Sequence, residues 1–319
     1  MMKAAVVTSF EATPRYEDFP APVPAGEHDL VVDVLAAGLH PRVRSQASGS
    51  HYTSTDELPL VPGVDGVGRG PDGLARYFVL EDTTLGSMAE QTLIDARRSV
   101  VLPADSDPVA VAAGMNPAMS SWLALRQRIR FEAGQDVLIL GATGSAGQLA
   151  VQVAALLGAN RIIAAGRDAT RLAMLPALGA TEIVPLDSDA DRRLAEVASD
   201  VDVVIDYVWG ELSVAAMTAI LTARPDRGKP LTWIEIGSVG GQVAAIPSAA
   251  LRAARLSIVG SGQGSVSTRE ILAELPELAQ QLSNGTLRVD TRPVPLADVE
   301  HAWTDTSPER RVVLIPNQQ

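Results

Sequence analysis

The chain has 319 residues, with 26 Lys and Arg against 38 Asp and Glu, a net charge of −12 and no cysteine. That length allows two domains with separate cores, and the acidic balance disfavours nucleic acid and anionic membrane as partners. Without cysteine, no disulfide, thiolate nucleophile or cysteine-ligated zinc site can form. The opening MMKAAVVTSF carries one Lys and too short an apolar run for a signal peptide, and no run reaches membrane-spanning length. A soluble, cytoplasmic protein is expected.

In chain order, residues 1 to about 115 show short β-type segments separated by Pro and Gly: Lys3–Thr8, Asp29–Ala36, Leu74–Leu80, Met88–Ile94 and Ser99–Leu102. The clusters at Pro20, Pro22 and Pro24, and from Pro59 to Gly70, read as loops. From about 116 to 262 strands alternate with helical stretches. The expected strands are Val137–Leu140, Arg161–Ala165, Glu182–Pro185, Val201–Asp206, Leu231–Ile236 and Leu256–Val259, the number of a complete doubly wound dinucleotide domain. The remainder, from Thr268, holds a helix, a strand near Arg288–Val294, a short helix and a final strand Arg311–Ile315. Abundant aliphatic and few aromatic residues suit an α/β protein whose sheet is covered on both faces.

The segment VLILGATGSAG, Val137 to Gly147, carries the chemistry. Val137 to Leu140 have the composition of a buried parallel strand, and Gly141, Gly144 and Gly147 stand three apart in the turn that follows. Ala146, Leu149, Ala150, Val153, Leu156 and Leu157 then repeat at helical spacing until Gly158. A tight turn needs glycine for steric reasons alone; its placement between strand and helix points to a pyrophosphate held on the N–H groups of the helix start, with Gly144, Ser145 and Ala146 as contacts. The next strand ends in Gly166, Arg167 and Asp168, with Arg171 one helical turn on. Arginine at that point accommodates a 2′-phosphate where an acid would bind the ribose hydroxyl, so NADPH is expected over NADH. Asp168 is read as the cap of the following helix. The alternative for both arginines is a solvated helix start.

The order and spacing of MKAAVV, AAGLHPRVRSQASGSHY, LPLVPGVDGVG, GSMAEQTLI, NPAMSSWLAL, VLILGATGSAGQLAVQVAALLGA, LGATEIV, VDVVIDYVWG, LSIVGSGQGS and RRVVLIP resemble the medium-chain dehydrogenase/reductase superfamily. They are most similar to its zinc-free quinone oxidoreductase branch. The resemblance covers nearly the whole chain. It implies an α/β fold: a doubly wound, six-stranded parallel NADPH-binding domain over residues 116–262, and a β-rich GroES-like catalytic domain over 1–115 and 263–319. It implies an acceptor cleft between the domains whose nicotinamide end is lined by Val208 and Trp209, by the Ile236, Gly237 and Ser238 turn, by the Gly260 and Ser261 turn, and by Asn116 to Ser120. Arg311, in the terminal RRVVLIP, joins the cofactor contacts on the same ground.

The zinc-dependent branch has cysteine where this chain has His40 and Gly-His-Glu where it has Gly63, Val64 and Asp65, so no metal is expected. Without a Lewis acid, alcohol oxidation is disfavoured, leaving hydride transfer from NADPH to an electrophilic small molecule, a quinone or an α,β-unsaturated carbonyl. Tyr52 stands where relatives often carry a tyrosine, and His40 where they commonly carry asparagine. Each is a candidate proton donor, with water as the third source. Trp209, in place of a small residue, either narrows the acceptor site or packs under the sheet edge. The alternative functions are a zinc-free ketone or imine reductase and a weakly catalytic NADPH-binding protein. The branch commonly dimerises through its last nucleotide-domain strand, so a homodimer through Leu256–Val259 is expected.

Overall fold

The computed structural model describes residues 1–51, 53–262, 264–305 and 310–316. Its strands are β1 (Met2–Val6), β2 (Arg15–Phe19), β3 (Asp29–Gly38), β4 (Asp65–Arg69), β5 (Ala75–Val79), β6 (Gln91–Asp95), β7 (Ser99–Val101), β8 (Val137–Leu140), β9 (Ile162–Gly166), β10 (Glu182–Pro185), β11 (Val203–Asp206), β12 (Leu231–Glu235), β13 (Leu256–Gly260), β14 (Thr291–Pro295) and β15 (Arg311–Ile315). Its helices are α1 (Pro41–Ala47), α2 (Pro108–Leu123), α3 (Ser145–Leu156), α4 (Ala169–Leu172), α5 (Ala190–Val197), α6 (Gly210–Ala223), α7 (Ser248–Ala253), α8 (Thr268–Ser283) and α9 (Val299–Thr304). The chain divides into two compact units, Met1–Asn116 with Leu272–Gln319, and Pro117–Ile271. The first division falls inside α2, immediately before Pro117, which lacks the N–H that would continue the helical ladder.

The second unit is a six-stranded sheet in the order β10-β9-β8-β11-β12-β13, parallel throughout. Every residue of β8 is buried, as a strand covered by helices on both faces requires. On one face Leu138, Leu140, Ile163, Val204 and Trp233 form a core with Ala216, Met217 and Ile220 of α6. The order reverses between β8 and β11, so the connections leave a crevice at the carboxyl ends of these two strands. Just before the amino-terminal ends of β11 and β12, Lys229 is ion-paired to Asp202 at 2.9 Å.

The first unit is built on a mixed sheet in which β14, β15, β3, β4, β5 and β7 follow one another and β6 also pairs with β3. A separate antiparallel ribbon, β1 with β2, is bridged by Lys3 and Asp18 at 3.1 Å. Two strands escape the sequence reading. Asp65–Arg69, expected to be loop, forms β4 near the middle of the sheet. Its glycines are there because neighbouring chain comes too close for a side chain: a Cβ at Gly66 would stand 2.9 Å from the Ala36 carbonyl, and one at Gly68 2.8 Å from Val32 Cγ2. In β2, RYEDF is polar and largely exposed, which hides it from a search for apolar alternation. No helix among the described residues is long and apolar enough to cross a membrane.

Candidate active site

At the carboxyl end of β8 the backbone turns sharply. Gly141 has φ of +84°, a left-handed conformation that glycine adopts without strain. The N–H groups of Gly141 and Ala142 both reach the Ala165 carbonyl at 2.9 Å, which fastens the turn to β9. Gly147 lets α3 sit down on this turn, since a Cβ there would be 2.3 Å from the Gly141 oxygen. Gly166 is equally tight, its Cβ position lying 2.4 Å from Thr143 Cγ2. Helix α3 starts at Ser145 behind Gly144, with no side-chain cap and no acid in its first turn. The first-turn amides of Ser145, Ala146 and Gly147 therefore lack a side-chain partner and carry the positive end of the helix dipole.

Arg171 completes this corner. Its Nη1 lies 3.4 Å from the Thr143 carbonyl and its Nε 3.7 Å from Asp168, while Nη2 is buried with no hydrogen-bond partner. Asp168 caps α4 by accepting from the Arg171 N–H at 3.0 Å, as expected, and so does not block the corner with a free acid. Arg167 is exposed beside it. A buried guanidinium N–H without an acceptor, next to uncapped helix amides, fits a phosphate-bearing dinucleotide.

The carboxyl end of β11 carries a group the sequence reading missed. Asp206 is fully buried; its Oδ1 accepts from the Val208 and Trp209 N–H groups at 2.8 and 3.0 Å, and its Oδ2 from the Trp233 indole at 2.9 Å. This carboxylate pins Trp209 at φ of +55°, the one positive φ at a non-glycine residue among the described residues. The Trp209 ring packs against the core on the α6 face of the sheet. Glu235, paired with Asp206 across β11 and β12, is pushed up by burial and then by the Asp206 charge. Beyond it, Ile236 and Gly237 donate to the Asp206 carbonyl at 2.8 and 3.2 Å, Ser238 follows, and Ser261 donates to the Glu235 carbonyl at 2.8 Å. The Gly260 carbonyl accepts from Arg128 Nε at 2.7 Å. Val208, Trp209, Ile236, Gly237, Ser238, Gly260 and Ser261 thus lie at the carboxyl ends of the same parallel strands as Gly144, Ser145, Ala146, Gly166, Arg167 and Arg171.

In the first unit His40 is buried, 3% exposed, just before α1. Its Nε2 lies 3.3 Å from Asp65 Oδ1, and the Tyr77 hydroxyl donates to Asp65 Oδ2 at 2.7 Å. Burial lowers the His40 pKa, opposed by the hydrogen bond to Asp65, so the ring is neutral with its Nε2 proton directed at the carboxylate. Burial also brings Arg311 down to about 10, with Asp65 opposing; its Nε is buried and without a partner. His51 Nδ1 lies 3.0 Å from the Thr53 hydroxyl. Among the described residues no three His, Asp or Glu side chains converge as metal ligands. Tyr52 lies outside the described residues.

The two sheets define the class: a doubly wound nucleotide-binding unit inserted in sequence within a β-rich unit. The family described as zinc-binding dehydrogenase matches residues 146–282. A probable NADPH-dependent quinone reductase of Emericella nidulans is 28% identical over 99% of this chain and all of its own length. An NADPH-dependent alkenal/one oxidoreductase of Arabidopsis thaliana is 26% identical over 57% of this chain and 50% of its own. Among solved structures, the quinone oxidoreductase of Thermus thermophilus, also determined with NADPH, superposes with a TM-score of 0.82 at 25% identity over 98% of this chain and 100% of that one. The fold and these matches together support a quinone oxidoreductase-like protein of the medium-chain dehydrogenase/reductase superfamily.

Proposed function

We propose that this protein is an NADPH-dependent oxidoreductase that transfers hydride to a quinone or an α,β-unsaturated carbonyl without zinc. One observation carries the cofactor: the buried, unpartnered Nη2 of Arg171 beside the uncapped start of α3. A 2′-phosphate gives that donor its acceptor, Arg167 adds a second positive charge from solvent, and the pyrophosphate takes the amides of Ser145 and Ala146 behind Gly144. The glycine at 166 keeps the approach to the ribose open. Val208, Trp209 and the turns at Ile236 to Ser238 and at Gly260 to Ser261 complete the cofactor contacts of this unit. Bound NADPH supplies the hydride, and the chain's own task is to hold the acceptor and settle its proton.

The acceptor class follows from likeness over the full chain to a quinone reductase, and over part of it to an alkenal/one oxidoreductase. Zinc-independence is supported by Val64 in place of a histidine and by the lack of cysteine. For the proton, His40 as found is neutral with its Nε2–H already committed to Asp65, which favours Tyr52 or water. We take the protein to be cytoplasmic and homodimeric; β13, partnered only by β12 among the described residues, offers an edge for pairing with a second copy. A sedimentation mass near that of one chain would refute the dimer.

The deciding experiment follows NADPH absorbance with a quinone, an enone and a simple ketone. Consumption with the quinone or enone and not the ketone is expected. No consumption with any of the three, or consumption with the ketone alone, overturns the reading. Tyr52→Phe should then lower kcat about tenfold to a thousandfold if the phenol delivers the proton, and His40→Asn should be mild.

A further inference from the structure

We infer that Tyr207 is a positioning residue for the nicotinamide half of the cofactor: its phenolic oxygen, held by Ser120, accepts a hydrogen bond from the carboxamide N–H group. This rests on the NADPH reading above. The sheet order reverses between β8 and β11, and in such sheets the ligand lies in the crevice at that reversal. Tyr207 is the first residue beyond β11, as Gly141 is the first beyond β8. A Cβ on Gly141 would meet Tyr207 Cβ at 3.2 Å, and a Cβ on Gly237 would meet the Tyr207 carbonyl at 3.1 Å. Tyr207 is therefore wedged between the turn that takes the pyrophosphate and the turn after β12. The 2′-phosphate corner, Arg171 with Arg167, is at β9 on the far side of β8, so the adenosine half lies there. The nicotinamide half is left to the β11 side, where Tyr207 stands.

The proton count fixes what Tyr207 offers. Its hydroxyl is 2.9 Å from Ser120 Oγ, and Ser120 Oγ donates its single proton to the Pro117 carbonyl at 2.7 Å. With the Ser120 proton directed at Pro117, Tyr207 is the donor to Ser120 and its oxygen keeps lone pairs to accept a further hydrogen bond. Burial pushes its pKa up to about 12, so the group stays a neutral phenol in any ordinary buffer. An acceptor held this way orients an N–H donor and gives nothing to a carbonyl oxygen. On the nicotinamide ring that donor is the carboxamide nitrogen.

The test is binding without any acceptor substrate, by calorimetry, using NADPH and its 3-acetylpyridine analogue, in which a methyl ketone replaces the amide. Tyr207→Phe keeps the ring and removes the oxygen. It should weaken NADPH about three- to tenfold, the net worth of one neutral hydrogen bond, and leave the acetylpyridine analogue within about twofold. Equal loss with both, or no loss with either, overturns the inference while the NADPH reading stands. Failure of the unaltered protein to bind NADPH overturns both. Should Tyr207→Phe not fold, Ser120→Ala releases the phenol from its fixed orientation: a loss confined to the amide-bearing cofactor supports the inference, and an equal loss refutes it.

Discussion

Removing the guanidinium of Arg171 should convert a cofactor-selective protein into an indifferent one. Its side chain is 17% exposed, steadied by the Thr143 carbonyl at 3.4 Å and Asp168 at 3.7 Å, and Nη2 is left without a partner. A charge-assisted hydrogen bond from such a donor to a phosphate contributes about 1.5–3 kcal/mol, or roughly 10- to 150-fold in affinity. Arg171→Ala should therefore cost NADPH that factor and leave NADH within about twofold. From the sequence alone Arg167 has the stronger claim, because it occupies the position directly after the strand. The structure shifts the weight, since an exposed arginine works through solvent and is screened by salt, and Arg167→Ala should be the milder change. Calorimetric titration of both cofactors into both variants, at low and at physiological salt, decides the matter. Equal affinities in the unaltered protein, or parallel losses of NADPH and NADH in Arg171→Ala, would refute the reasoning.

Three further outcomes follow from the same geometry. His40 has a folded pKa below its unfolded value near 6.5, so the unfolded chain binds the extra proton and stability falls as pH drops below about 6.5, by at most about 1.4 kcal/mol per pH unit; a His40→Gln variant with an unchanged slope of melting temperature between pH 7.5 and 5.5 would contradict this. Asp206→Ala strands three buried donors and should destabilise the nucleotide-binding unit by at least about 3 kcal/mol in denaturant titration, and a loss under about 1 kcal/mol would show the clamp to be dispensable. Treatment with a strong chelator should leave rate and melting temperature untouched, whereas stoichiometric zinc in elemental analysis of native protein would overturn the metal-free mechanism.

The nucleotide-binding sheet is legible in the sequence because parallel strands are apolar on both faces and punctuated by glycine; Val137–Leu140 and Glu182–Pro185 begin and end where their composition says. Strand β4 is illegible for the opposite reason, since its glycines answer to Ala36 and Val32, about thirty residues earlier, and not to a turn. The candidate site divides in the same way. The glycines and arginines of the dinucleotide turn announce themselves by local spacing. The setting of Arg171 depends on Thr143, 28 residues away, and His40 is neutral through burial in the fold, against the pull of Asp65 25 residues on. Asp206 did leave a signal: a lone acid closing the apolar run Val203–Ile205 must have its partners inside the fold.

Quinones and enones alkylate thiols and free amines by conjugate addition, so a protein that handles them risks modification by its own substrates. This chain has no cysteine, and its two lysines are Lys3 and Lys229. Both are ion-paired, Lys3 to Asp18 at 3.1 Å and Lys229 to Asp202 at 2.9 Å, and the second is held further toward its charged form by Asp202 and Asp200, against the effect of burial. A protonated amine has no lone pair to offer. Every other cationic side chain of fixed charge is an arginine, whose delocalised guanidinium stays protonated and is a poor nucleophile. The ion pairs that fasten β1 to β2 and tie the starts of β11 and β12 together also keep both lysine amines from adding to the electrophiles the protein is proposed to reduce.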